Sequence, residues 1–331
     1  MRSPALALLL SLIGATALPV AAAPAAPTFR IEVHPIPTVD LTAVEALTGK
    51  TDGPARTIAG ELRLPLSDAP RLPAVIFMHG DAGALASQAG WIGELNAIGV
   101  AVFTVDSFSG RGALARAPGL AVQGAGAIGS AARVVDAYRA LGVLAAHPRI
   151  DPARIVLMGV SSGGRVAINS AMTRFARAHA PANAAFAGFI ALYPPCNLRL
   201  HGDTELLPAP LQIHHGAADI VTRSEFCGAY VARLVAAGHD ARFFEYADAQ
   251  HGYDSPPGIP PAALPQAPNP ARCSFEERDG GQLVNADTGK PVTLSDLCVG
   301  VGLGGGRNAA AAEATHFAVK AFLRKLFKLA P

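Results

Sequence analysis

Short runs rich in Val, Ile, Phe and Leu recur along this chain and alternate with stretches in which apolar residues return every three or four positions. The first pattern reads as buried strands and the second as helices with one apolar face. Six runs are expected to form the centre of a sheet: 74–78, 101–105, 154–158, 188–192, 211–214 and 242–246. An earlier run, 57–64, reads as an antiparallel edge strand. Between them, Trp91, Leu95 and Ile98 share one helical face, as do Val134, Tyr138 and Leu141 on the next. Strands alternating with helices call for a mostly parallel sheet covered on both faces, the α/β class. Thr222 followed by Glu225 reads as a capping box that opens a helix with Phe226, Tyr230 and Leu234 facing inward and Cys227 in its first turn. A last helix, from about 309 to 329, turns Val319, Phe322, Leu323 and Leu326 toward the sheet.

Two segments break this rhythm. Residues 1–22 carry Arg2, an apolar run from Ala5 to Ala17 and the small residues Val20-Ala21-Ala22, the layout of a cleavable signal peptide. The run is too short to span a bilayer, Pro24 and Pro27 follow it, and no membrane anchor is expected. The product would be periplasmic or secreted, leaving 23–331 as a single α/β domain. The second segment, 255–306, is rich in Pro, Gly and polar residues and begins directly after His251, so it is expected beside the active site. Four cysteines in an exported chain permit two disulfides in three connectivities. The favoured pairs are Cys196 with Cys227 and Cys273 with Cys298. The formal net charge of +2 comes from scattered basic residues, which gives no footprint for nucleic acid and leaves small-molecule chemistry as the expectation.

That chemistry is expected where strand 154–158 runs into Gly159-Val160-Ser161-Ser162-Gly163-Gly164 and then into a helical stretch. A serine between small residues at a strand-to-helix turn is a nucleophile elbow: the turn is too tight for larger flanking side chains, and it lifts the hydroxyl above the sheet. Serine needs a base, and in this architecture the acid and then the histidine follow the nucleophile along the chain. After strand 211–214, the turn His215-Gly216-Ala217-Ala218-Asp219 places Asp219 at a strand's carboxyl end; after 242–246, Ala249-Gln250-His251-Gly252-Tyr253 does the same for His251. Acyl transfer also needs donors for an oxyanion. The backbone N–H of Ser162 is one, and Asp81, in the turn His79-Gly80-Asp81-Ala82-Gly83, is the expected second, with Ala82 as the alternative. His79, and the adjacent His214 and His215, are expected to be structural: nothing at usable spacing completes a metal site, and none is expected. Tyr193, Tyr253 and Trp91 are read as packing.

With these residues in place, the chain resembles the dienelactone hydrolase family of α/β-hydrolases. The resemblance rests on Met78-His79-Gly80, Asp106-Ser107-Phe108 with Arg111 and Gly112, Gly159 to Gly164, His215-Gly216 with Asp219, and His251-Gly252-Tyr253. It implies hydrolysis of small esters or lactones without a metal or organic cofactor. The best-known members use cysteine as the nucleophile, so Ser161 shifts the expectation toward carboxylesterase activity. The resemblance also implies that Arg111 binds a substrate carboxylate, against the alternative that it pairs with Asp106 or another acid of its loop. Two rival functions share the pattern: a serine peptidase of the prolyl oligopeptidase type, whose usual N-terminal propeller is absent here, and a non-catalytic binding protein on the same fold.

Overall fold

A computed structural model describes residues 29–113 and 129–330, so the expected signal peptide lies outside the described residues. In chain order the strands are β1 Phe29–Val39, β2 Ala55–Pro65, β3 Leu72–Met78, β4 Ala101–Asp106, β5 Ile150–Val160, β6 Gly188–Leu192, β7 Leu198–Arg199, β8 Leu211–Gly216, β9 Ala241–Tyr246, β10 Ala262–Asn269, β11 Phe275–Arg278, β12 Gln282–Asn285 and β13 Gly300–Gly305. The helices are α1 Ala43–Leu47, α2 Ala84–Asn96, α3 Val134–Ala145, α4 Ser162–Ala171, α5 Thr173–His179, α6 Ser224–Ala236 and α7 Ala309–Phe327. Eight strands form one sheet in the order β1-β2-β4-β3-β5-β6-β8-β9. From β4 to β9 every pairing is parallel, while β1–β2 and β2–β4 are antiparallel.

The α/β class is as expected and all six expected strands form, five of them inside the sheet; the sixth, β9, expected at the centre, is the edge opposite β1. The strand expected over 57–64 is antiparallel but is not the edge. That place belongs to β1, whose outward positions Ile31, Val33, Pro35 and Pro37 are exposed while Ile36 and Thr38 are buried. Its two prolines hid the alternation, yet an edge strand tolerates residues that cannot donate to the ladder.

The centre of the sheet is buried on both faces because alternate residues of its strands feed two separate cores. In β3, Ala74, Ile76 and Met78 join the core that includes Tyr138, Leu141 and Ile168, while Val75 and Phe77 join Trp91, Leu95, Val319 and Leu323 on the other side. Parallel strands so covered present their carboxyl ends at one rim of the sheet, where β3, β5, β8 and β9 hand over to loops.

Segment 255–306, expected only as an elaboration beside the active site, contains strands of its own. β10 and β13 form an antiparallel ribbon, and β11 and β12 form a hairpin that adds β7 as a parallel third strand. Bonds Cys196–Cys227 and Cys273–Cys298 are both present, each with Cα atoms 4.9 Å apart. Glu277, buried at the hairpin, accepts two hydrogen bonds from Arg174 of α5, at 2.6 and 2.9 Å, which fastens the hairpin to the main fold. Among the described residues, no helix is long and apolar enough to cross a membrane.

Candidate active site

At the end of β5 the chain turns so sharply that Ser161 adopts φ 53° and ψ −123°, a conformation that costs a residue with a Cβ about 1–3 kcal/mol. The neighbours explain how it is held. A Cβ on Gly159 would lie 2.1 Å from the Gly163 carbonyl oxygen, and one on Gly163 would lie 2.2 Å from the Met78 carbonyl oxygen. No larger residue fits at either place, so the small residues around Ser161 answer to the backbone of β3 and α4. The Ser161 amide donates to the Leu192 carbonyl at 2.9 Å, and its hydroxyl is left at the rim of the sheet.

Three distant side chains meet there. His251 Nε2 stands 3.0 Å from Ser161 Oγ, and His251 Nδ1 donates to Asp219 Oδ2 at 2.7 Å. Asp219 is buried, and its Oδ1 accepts the amides of Val221 and Thr222 at 2.8 and 2.9 Å. Burial alone would raise its pKa. The His251 charge and hydrogen bond, the nearby His215 and the Thr222 amide outweigh that and hold the carboxyl below its ordinary value, so it stays ionised. A hydroxyl, an imidazole and a carboxylate in this sequence can pass the hydroxyl proton to Nε2 while the carboxylate stabilises the resulting imidazolium.

The expected capping box at Thr222 does not form. Helix α6 begins at Ser224 with Arg223 at its N-cap, and Glu225 pairs with Arg223 instead. The Thr222 hydroxyl is spent on the site: it lies 3.0 Å from both Asp219 Oδ2 and the Tyr193 carbonyl, and 3.1 Å from His251 Nδ1. Tyr193 does more than pack. Its ring meets the His251 ring edge-on at 4.8 Å, and its hydroxyl donates to the buried Asp254 at 2.7 Å, where Trp91 Nε1 donates to the other oxygen at the same distance. Burial and the Asp254 charge push the Tyr193 hydroxyl well above its ordinary pKa and keep it a donor. Asp254, three residues after His251, was open to notice by its position alone.

The turn holding Asp81 lies against Ser161, since a Cβ on Gly80 would sit 3.2 Å from Ser161 Cβ. Asp81 and Ser162 are joined directly: the Ser162 hydroxyl donates to Asp81 Oδ1 at 2.6 Å. Arg111 corrects an expectation. Its guanidinium donates to both oxygens of buried Asp136 at 2.8 and 2.9 Å, to Asp40 at 2.7 Å and to the carbonyls of Ser107 and Val39. The acids lie outside its own loop, on α3 and after β1, where sequence distance concealed them. So engaged and buried, the guanidinium has no donor directed at a ligand carboxylate.

His79 and His214 are satisfied within the fold, whereas the buried Nε2 of His215 has no hydrogen-bond partner among the described residues. His79 is buried, its Nδ1 donates to the Gly80 carbonyl at 2.7 Å and its Nε2 accepts the Ser107 amide at 3.2 Å; burial, with the nearby Arg133 charge, lowers its pKa to about 3. His214 stacks on Phe244 and bonds Tyr246, and burial lowers its pKa to about 3. Among the described residues one group has the make-up of a cation site: Glu32, His34 and His147. His147 Nδ1, however, accepts the Arg149 amide at 3.2 Å, which places the proton of the neutral ring on Nε2, 3.0 Å from Glu32, so these groups answer one another as hydrogen-bond partners. A cleft of about 490 Å³ between the ends of α3 and α5 holds none of the side chains around Ser161.

Segment 255–306 reaches the site through its ribbon. Gly305 pairs with His251, the Gly306 amide donates to the His251 carbonyl at 3.0 Å, and Asn269 Nδ2 donates to the carbonyl of Ile220, next to Asp219, at 2.8 Å.

A model of the dienelactone hydrolase family matches residues 61–266. Among solved structures, Thermogutta terrifontis esterase 2 phosphoramylated by tabun is 17% identical with a TM-score of 0.56, over 93% of this chain and 98% of its own. A dienelactone hydrolase-like promiscuous phosphotriesterase from metagenomic libraries is 16% identical with a TM-score of 0.57, over 89% of this chain and 98% of its own. At such identities the likeness is one of fold. A comparison with curated proteins finds no match.

Proposed function

This chain belongs to the dienelactone hydrolase family of the α/β-hydrolase superfamily, and from that premise we propose that it is an exported serine hydrolase of small carboxylic esters or lactones. The observation that carries the reading is the continuous hydrogen-bonded chain from Ser161 through His251 to an ionised Asp219. His251 Nε2 takes the Ser161 proton as Oγ attacks the carbonyl carbon, and the carbonyl oxygen becomes an anion facing the amides of Ser162 and Asp81. Collapse expels the alcohol, which leaves with the proton held by His251, and the acyl group stays on Ser161. Water then gives its proton to His251 and its oxygen to the acyl carbon, releasing the acid and restoring the serine. Two disulfides suit the oxidising compartment that a signal peptide over 1–22 would reach.

Ser161→Ala tests this directly. It should lower turnover of a p-nitrophenyl ester by at least about 10⁴-fold and abolish labelling by a fluorophosphonate, with the thermal transition retained. A folded variant that keeps activity would show that the nucleophile is elsewhere. One solved neighbour is an esterase phosphorylated by paraoxon; on the present reading the same reagent would modify Ser161 here, a mass change that peptide mapping would place.

A further inference from the structure

The two candidate oxyanion donors come from segments 81 positions apart in the chain, the turn after β3 and the first residue of α4, and their spacing must hold to a fraction of an ångström. Backbone pairing of β3 with β5 ends at Met78 and Gly159, three residues short of each donor. What joins them is a chain of side chains. Arg133 Nη1 donates to Ser162 Oγ at 3.2 Å, the Ser162 hydroxyl in turn donates to Asp81 Oδ1 at 2.6 Å, and Arg133 Nη2 donates to the carbonyl of His79, two residues before Asp81, at 2.6 Å.

Arg133 stands in an unfavourable place for a cation. It is 1% exposed, and unlike Arg111 it has no carboxylate within salt-bridge distance, although every Asp and Glu of the chain lies in the described residues. It occupies the N-cap of α3 and donates to the first residue of α4, so it meets the positive ends of two helices. The face of its guanidinium lies over Phe108, 5.2 Å from the ring centre, which returns only part of what desolvation takes. A buried charge without a bonded counter-charge lowers stability, so its benefit has to come from another state of the protein. A negative oxygen formed beside Ser162 and Asp81 supplies that state.

We infer that Arg133 is a positioning residue: with Ser162 and Asp81 as its intermediaries, it braces the two halves of the oxyanion site and sets behind it a positive charge that no carboxylate bonds directly. The inference rests on the serine-hydrolase reading above. The brace acts on the tetrahedral state more than on bound substrate, so its loss should appear in kcat and leave KM nearly unchanged.

The test measures kcat, KM, Tm and inhibition by phenylboronic acid, which becomes a tetrahedral anion when it adds to a serine, in wild type, Arg133→Met, Arg133→Lys and Ser162→Ala. Arg133→Met should lower kcat by about 100-fold and weaken boronate inhibition by a similar factor, with KM within about twofold. Arg133→Lys, which keeps the charge but not the fork of donors, should recover part of both, and Ser162→Ala, which keeps the backbone amide, should lose about tenfold in each. Arg133→Met with a changed Tm but kcat and boronate affinity within threefold of wild type would assign the residue to folding alone and overturn the brace. Should Arg133→Met fail to fold, Ser162→Ala decides, and unchanged kcat there overturns it. A wild type that turns over no ester and takes no fluorophosphonate overturns the reading beneath the proposal, an outcome distinct from active wild type with active variants.

Discussion

The serine side and the histidine side of this site are held by different means. Around Ser161, β3, β5 and α4 press their backbones together until Gly159 and Gly163 have no room for a Cβ, and the serine is locked in an unfavourable conformation. Around His251, the support is a ribbon of two strands whose outer residues Leu264 and Val301 are exposed, and which touches the histidine through Gly305 and Gly306. The first is part of the doubly covered core; the second is a surface prop. The serine's place is therefore coupled to global stability, whereas the histidine's place can be altered while the fold survives.

Gly163→Ala should produce the largest effect. The new methyl would meet two carbonyl oxygens, those of Met78 and His79, at 2.2 and 2.5 Å, and neither can move without moving the centre of the sheet. Such a collision costs about 4 kcal/mol or more, so the variant should lose most of its folded population together with its activity. A variant with an unchanged urea midpoint would show that the elbow is far less rigid than its packing indicates.

Much of the serine side was legible in the sequence, because its cause is local. A strand, two small residues, a serine and a helix lie within one short stretch, and the steric demand is written into the glycines. Asp219 and His251 were legible from their order after strands. What escaped was nonlocal: β1, disguised by Pro35 and Pro37; the partners of Arg111, which lie 71 and 25 positions away; and the strands within 255–306, whose Pro and Gly suppress any period. Thr222 shows a different failure. Its motif was genuine as a pattern, but Asp219 Oδ2 competed for the hydroxyl and won it from the helix.

Acid separates the two regions by a smaller amount. His214 sits in the sheet with its pKa lowered to about 3 by burial, while segment 255–306 contains no histidine. A lowered pKa in the folded state means that the unfolded chain takes up the proton first. The stabilisation is complete above about pH 6.5 and is lost as the pH falls from there toward 3. At pH 5 the loss from this residue is about 2 kcal/mol. His214→Gln should flatten the fall in unfolding free energy between pH 7.5 and 5 by that amount, followed through the single tryptophan, Trp91, which is buried in the sheet half. Parallel pH curves for the two proteins would exclude His214 as a source of acid lability.

Gly305→Ala carries the smallest free energy and bears most directly on the prop. A Cβ there would stand 2.2 Å from the His251 carbonyl oxygen, so either the ribbon retreats or the histidine loop yields. Retreat is easier for an exposed ribbon than displacement is for the end of β9, but it takes with it the Gly306 amide that holds His251. The imidazole then depends on the Asp219 hydrogen bond and on a loop still tied by the Ala218 amide on the Ala249 carbonyl, the Asn308 amide on the Tyr253 carbonyl and Asp254 between Tyr193 and Trp91. Misplacing a reacting group by a fraction of an ångström lowers the rate without requiring the fold to fail. The expected result is a fall of about tenfold in kcat, about 1.4 kcal/mol in the barrier, with KM and the urea midpoint close to wild type. A loss of stability comparable to that of Gly163→Ala would place the ribbon inside the core, and full activity would mean that His251 keeps its position without it.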